Sequence, residues 1–162
     1  MKITRALVVA AVVSGVITMA QGRSPASSQE QAASAAEVVK ARQKGLKTLG
    51  AAFKTIRDEL KGDSPDAVKI RGAAADFTRA AGEIDKWFPA GTGPDSGVKT
   101  EAKPEVWTDA AGFAAAREAF VREANKWAQL ANSTDASAWK EGVASLGQSC
   151  KGCHDKYRVK KE

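Results

Sequence analysis

Four stretches of this chain repeat apolar residues at gaps of three and four, and that rhythm leaves little choice of fold. Val39, Arg42, Leu46, Leu49, Phe53, Ile56 and Leu60 form the first stripe. Ile70, Ala74, Phe77, Ala81, Ile84 and Phe88 form the second, and Phe113, Ala116, Phe120, Ala124, Trp127 and Ala131 the third. The fourth is Trp139, Val143, Leu146, Cys150, Cys153 and Tyr157. Such spacing lines up one side of a helix that turns about 100° per residue. No stretch beyond the N-terminus alternates with the period of two that a half-buried strand requires. The pattern predicts helices over 34–60, 65–88, 109–131 and 137–160. A single apolar stripe per helix must be buried against other helices, so the expected fold is all-α, an antiparallel four-helix bundle.

The boundaries follow from local chemistry. Gly62, Asp63, Ser64 and Pro65 separate the first two helices, with Asp63 or Ser64 as the expected cap and Pro65 in the first turn. Thr108 is the expected cap of the third helix, and residues 132–135 form a short polar turn. The connection over 89–107 is long and rich in Gly and Pro, a length that suits either a plain crossing or a functional loop.

The N-terminus reads as a targeting segment. Lys2 and Arg5 precede a mostly apolar run, and Thr18-Met19-Ala20 is a suitable cleavage site. Residues 1–20 are therefore expected to be a signal peptide, too short to span a bilayer with ease. Residues 21–33, rich in Ser, Gln and Ala, are expected to be a flexible leader. The expected destination is a bacterial periplasm, with no membrane anchor after processing. Processing would remove Lys2 and Arg5 from a chain whose formal charge is +6. The remaining excess is too small to suggest nucleic acid as a partner.

Chemistry concentrates in Cys150-Lys151-Gly152-Cys153-His154. A C-x-x-C-H pentad is the attachment motif of c-type haem. On a helix the two thiols and the imidazole share one face, so two anchors and one iron ligand reach the same flat cofactor. One haem c, bound through Cys150 and Cys153 with His154 on the metal, is the expected cofactor. A zinc site usually takes four Cys or His ligands, and the chain has two Cys and one His in all. A thioredoxin-like dithiol expects a βαβ context, which is missing here. Because Cys150 and Cys153 belong to the fourth apolar stripe, the porphyrin is directed into the bundle.

The second axial position has no obvious occupant. The two methionines are Met1 and Met19, both in the expected signal peptide. Tyr157 lies one turn past His154, on the same side of the haem. A lysine, an N-terminal amine or water could fill the position, and the simplest expectation is a five-coordinate iron.

The chain resembles the cytochrome c′ family, the class II c-type cytochromes, over nearly all of residues 34–162. The resemblance rests on Cys150 to Arg158 at the C-terminus, on Val39-Lys40-Ala41-Arg42-Gln43-Lys44-Gly45-Leu46, and on Lys103-Pro104-Glu105-Val106-Trp107-Thr108-Asp109. That family is itself a familiar four-helix bundle, so the fold expectation and the resemblance are not independent. It implies His154 as the proximal iron ligand and Arg42 and Gln43 near the haem propionates. It implies Leu46 over the open iron face, Arg158 close to the proximal His, and the loop around Thr92 on a propionate. On physical grounds Arg42 on an apolar stripe either snorkels at the stripe's edge, which the sequence alone favours, or takes a partner such as a propionate, which the resemblance favours. The segment between Gly93 and Pro104 is longer than the family pattern.

These readings give an expected function. The chain would be a haem protein, not an enzyme, that binds a small diatomic gas, nitric oxide or carbon monoxide, at an open iron. Dioxygen is stabilised by donors on the distal side, and Leu46 offers none. Two rival expectations are an electron-transfer shuttle serving redox partner proteins and, less suited to the motif, a thiol oxidoreductase using Cys150 and Cys153. The family resemblance adds the expectation of a homodimer.

Overall fold

The computed structural model describes residues 25–160. The expected signal peptide, and residues 21–24 of the expected leader, lie outside the described residues. Four long helices carry the fold: α1 (Pro25–Glu59), α2 (Ala67–Gly82), α4 (Ala110–Leu130) and α5 (Ala136–Tyr157), with a single turn, α3 (Glu105–Thr108), before α4. Two short 3-10 turns, Ile84–Trp87 and Pro94–Ser96, punctuate the way from α2 to α3. Among the described residues there is no strand, only an isolated antiparallel bridge between Ala102 and Arg158. The bundle expected from the four stripes is present: α1 packs on α2, α4 on α5, and α2 on α4.

The observed boundaries differ from the expected ones for local reasons. α1 begins at Pro25, so residues 25–33 are helical where a flexible leader was expected. Proline suits the first helical turn, and the Ala, Gln and Glu that follow are good helix formers. Asp66 caps α2, rather than Asp63 or Ser64, accepting hydrogen bonds from Val68 N at 2.8 Å and Lys69 N at 3.2 Å. Its extended backbone sets the carboxylate over the first free N–H groups. Glu59 then ties the turn together, accepting from Asp66 N at 3.2 Å and from Lys69 Nζ at 3.1 Å. α2 stops at Gly82, and residues 84–87 wind more tightly, which turns Trp87 and Phe88 away from the α2 axis. The cap of α4 is Asp109, accepting from Gly112 N at 3.2 Å, while Thr108 is the last residue of α3.

Two apolar clusters result. The main one contains Leu49, Ile56, Ile70, Phe77, Phe120, Trp127 and Leu146, with the Phe77 and Phe120 rings 5.7 Å apart. The second contains Val106, Phe113 and Tyr157, and Phe113 meets Tyr157 edge to face at 5.1 Å. Phe88 packs against both clusters. Among the described residues no helix is long and apolar enough to cross a membrane.

Tyr157 is 4 % exposed, and its hydroxyl donates to Asp109 Oδ2 at 2.9 Å instead of reaching solvent. Lys156 Nζ pairs with the same oxygen at 2.6 Å. Asp109 thereby joins the start of α4 to the end of α5. The bonds from Lys156, Tyr157 and Gly112 hold its carboxyl below the ordinary value of 3.8. A carboxyl held low in the folded state favours folding above that ordinary value and loses its contribution as the pH falls through its lowered value. Melting temperature is therefore expected to fall on acidification below about pH 4, and less so in Asp109→Asn. Identical acid profiles for the two proteins would refute this.

Candidate haem site

α5 presents the three chemical groups together. The Cys150 side chain packs against the main cluster and Cys153 against the second. Both are half-buried. Burial pushes both thiols up from their ordinary value, and in Cys150 the neighbouring Cys153 adds to it. Reactive dithiols show the reverse, a thiolate stabilised by positive surroundings, which weighs against the oxidoreductase reading. His154 stands exposed one residue further on. Protein packed beside its ring, and next the charge of Arg158, lower its pKa. The imidazole is thus neutral near pH 7, the state in which a ring nitrogen can ligate a metal.

α1 carries Arg42, Gln43 and Leu46. The Arg42 side chain is 2 % exposed. Its Nη1 donates to Trp87 O and Thr92 Oγ1, both at 3.3 Å, and its Nη2 donates to Thr92 O at 3.0 Å and Thr100 Oγ1 at 2.9 Å. The guanidinium carbon also lies 5.0 Å from the Phe88 ring centre and 5.8 Å from that of Trp107, within cation–π range. Every one of these partners is neutral, and desolvation lowers the pKa of the group. Thr92 Oγ1 in turn donates to Pro89 O at 2.8 Å, and Trp107 Nε1 donates to the same oxygen at 3.0 Å. The residues expected near propionates, Arg42 and Thr92, are thus brought into direct contact. Gln43 is exposed and is not drawn into this group.

Leu46 is 38 % exposed although it belongs to the first apolar stripe. Its neighbour Gly45 lies against the Trp87 indole so closely that a Cβ there would collide with the ring. Just past α5, Val159 is another exposed large apolar side chain, and it lines a groove of about 410 Å³ with His154, Asp155, Arg158 and Lys160. The site therefore combines two thiols, a neutral imidazole, uncovered apolar surface and a buried cation with no carboxylate partner among the described residues. These fit a haem c: Cys150 and Cys153 would anchor it, His154 would hold its iron, and Arg42 would face a propionate.

Arg158, expected close to the proximal His, lines the groove with His154 and is also tied to the long connection. Its Nε and Nη2 donate to Glu101 Oε2 at 2.9 Å and 2.7 Å. Sequence reasoning missed Glu101 and Thr100, which carry no local signal. It also missed Phe88 and Trp107, which the aromatic residues at either end of a Gly- and Pro-rich connection could have suggested.

The comparisons agree with this arrangement. The family described as Cytochrome C' matches residues 37–158. The cytochrome c′ of Alcaligenes xylosoxydans xylosoxydans is 33% identical over 126 residues, covering 77% of this chain and 95% of that protein. The structure of a ferrous variant of the Alcaligenes xylosoxidans cytochrome c′ with bound NO superposes with a TM-score of 0.69 at 30% identity, covering 76% of this chain and 94% of that one. A cytochrome c′ described as having ligand-controlled dimer dissociation superposes with a TM-score of 0.73 at 30% identity, over 78% of this chain and 97% of that one. With two thiols and an imidazole on the last helix of an antiparallel four-helix bundle, built for one covalent haem c, this chain belongs to the cytochrome c′ family.

Proposed function

We propose that this protein binds nitric oxide or carbon monoxide at an open iron position, as an exported periplasmic haem protein and not as an enzyme. The observation that carries the reading is the exposed apolar Leu46 on α1, in a chain whose only histidine is His154 and whose only methionines are Met1 and Met19. Haem c, when bound, supplies an iron whose ferrous form takes either gas.

The residues divide the remaining work. His154 would hold the metal from α5, and burial, then the charge of Arg158, favours its neutral ring. Leu46 offers neither a ligand nor a hydrogen-bond donor, which disfavours water, anions and dioxygen relative to NO and CO. The Arg42 group fixes the long connection beside the site. The NO complex of a relative supports the gas reading, and the dimer of another supports a homodimer whose assembly responds to ligand. The half-buried thiols, without the positive surroundings that activate a reactive dithiol, are poorly suited to dithiol exchange.

Optical and spin-state spectra of the ferric, ferrous and gas-treated protein test the proposal. The expected results are a high-spin five-coordinate iron at neutral pH and saturable binding of NO and CO by the ferrous form. A low-spin six-coordinate ferric iron would contradict it. Rapid electron exchange with negligible gas affinity would favour the shuttle.

A further inference from the structure

The long connection does more than cross the end of the bundle. Val159 N donates to Glu101 O at 2.8 Å and Lys103 N donates to Tyr157 O at 2.9 Å, on either side of the Ala102–Arg158 bridge. Residues 101–103 are thereby laid against the end of α5, the helix that carries the pentad. In the middle of this pairing the Glu101 carboxylate takes both the Nε and the Nη2 donors of Arg158. Arg158 is one helical turn from His154, its N–H donating to His154 O at 3.1 Å, and both side chains line the same groove.

We propose that Glu101 is a positioning residue for the haem site: it holds the Arg158 guanidinium in place and offsets its charge beside the iron's ligand. An ordinary exposed ion pair contributes little, because ordering two long side chains costs about as much as the pair gains. Here the backbone bonds on both sides order the two residues already. Lys160 also lines the groove beside the imidazole, and three further cations nearby have partners of their own. Lys151 pairs with Asp155, Lys156 with Asp109, and Lys103 Nζ reaches Asp155 O at 3.4 Å. The Glu101–Arg158 pair is thus a local control on the charge that the iron feels. A cation near the metal favours its ferrous form, and a carboxylate on that cation opposes the effect.

The inference rests on His154 as the iron ligand and not on which gas binds. Its test is the reduction midpoint of the mature holoprotein at low ionic strength, for the unaltered chain, E101Q, E101D, R158Q and E101Q/R158Q. E101Q is expected to shift the reduction equilibrium toward the ferrous form by a factor approaching about ten, which for one electron is about 59 mV. E101D keeps the charge but shortens its reach, so it should shift the same way by less. R158Q should lower the midpoint, and lower it less when Glu101 is already absent, because the guanidinium is then no longer held beside the ligand. An unchanged midpoint in E101Q, or strictly additive effects of the two substitutions, would overturn the proposal. If E101Q does not assemble with haem, an unchanged midpoint in E101D would do so. A six-coordinate ferric spectrum would defeat the open-iron reading and leave this cycle of variants readable.

Discussion

Replacing Cys150 and Cys153 together by Ser is expected to give a protein with no covalent haem and a markedly looser fold. Each thiol sits where the bundle would meet the cofactor, Cys150 against the main cluster and Cys153 against the second. Without the cofactor, Leu46 and Val159 keep their exposed apolar surface, and Arg42 keeps its charge without an anion. A tethered porphyrin buries its apolar faces and is ligated in the folded chain but not in the unfolded one, which favours folding by an amount on the order of 4 kcal/mol. For a domain of this size that corresponds to a fall in melting temperature on the order of 10 °C. Mass spectrometry and haem staining of the denatured protein check the first half, and thermal melts the second. A double variant that still carries covalent haem would be fatal to the attachment assignment. One that melts with the haem-loaded protein would show that the bundle does not depend on the cofactor.

Arg42→Ala is expected to destabilise the protein by about 3 kcal/mol or more. The substitution removes donors from Trp87 O, Thr92 O, Thr92 Oγ1 and Thr100 Oγ1, and leaves a hole between Phe88 and Trp107. Buried acceptors stripped of a donor cost about 1–3 kcal/mol each when water cannot replace it. Arg42→Lys should rescue little. A lysine brings three donors on one atom, whereas these acceptors are arranged around a planar fork. Urea unfolding of the two variants measures both effects. A lysine variant as stable as the parent would mean that charge, and not the fork, secures the connection.

What the chain disclosed in advance was whatever repeats locally. The stripes from Val39 to Leu60 and from Trp139 to Tyr157 are long, so α1 and α5 could be placed from periodicity alone. The pentad announced its own chemistry because the spacing of Cys150, Cys153 and His154 is a property of one helix face. Capping was less accessible. Asp63, Ser64 and Asp66 are all competent caps, and the choice of Asp66 depends on where Glu59 reaches across the turn. Periodicity carried the second helix through to Phe88, but the backbone tightens after Gly82 so that Trp87 can lie on Gly45. The partners of Arg42 and Arg158 were invisible for a general reason. Thr92, Thr100 and Glu101 lie on a connection without a repeat, and only the folded chain brings them beside α1 and α5. The resemblance named Thr92 and Arg158, yet it could say nothing of a segment longer than the family pattern.

Phe88 has a further consequence, because it touches both apolar clusters. Its ring is 4.9 Å from Phe113 and 6.5 Å from Trp107, whereas the larger cluster is centred on Phe77, Phe120 and Trp127. A fold with two unequal hydrophobic bodies joined through few side chains can melt in two stages. The smaller body holds the start of α4 and the last turn of α5, so its opening would release the haem-bearing end while the far end of the bundle stayed folded. Amide protons of α2 should then outlast those near Tyr157 during hydrogen exchange, and the haem-bearing end would be the part of the bundle that opens most readily.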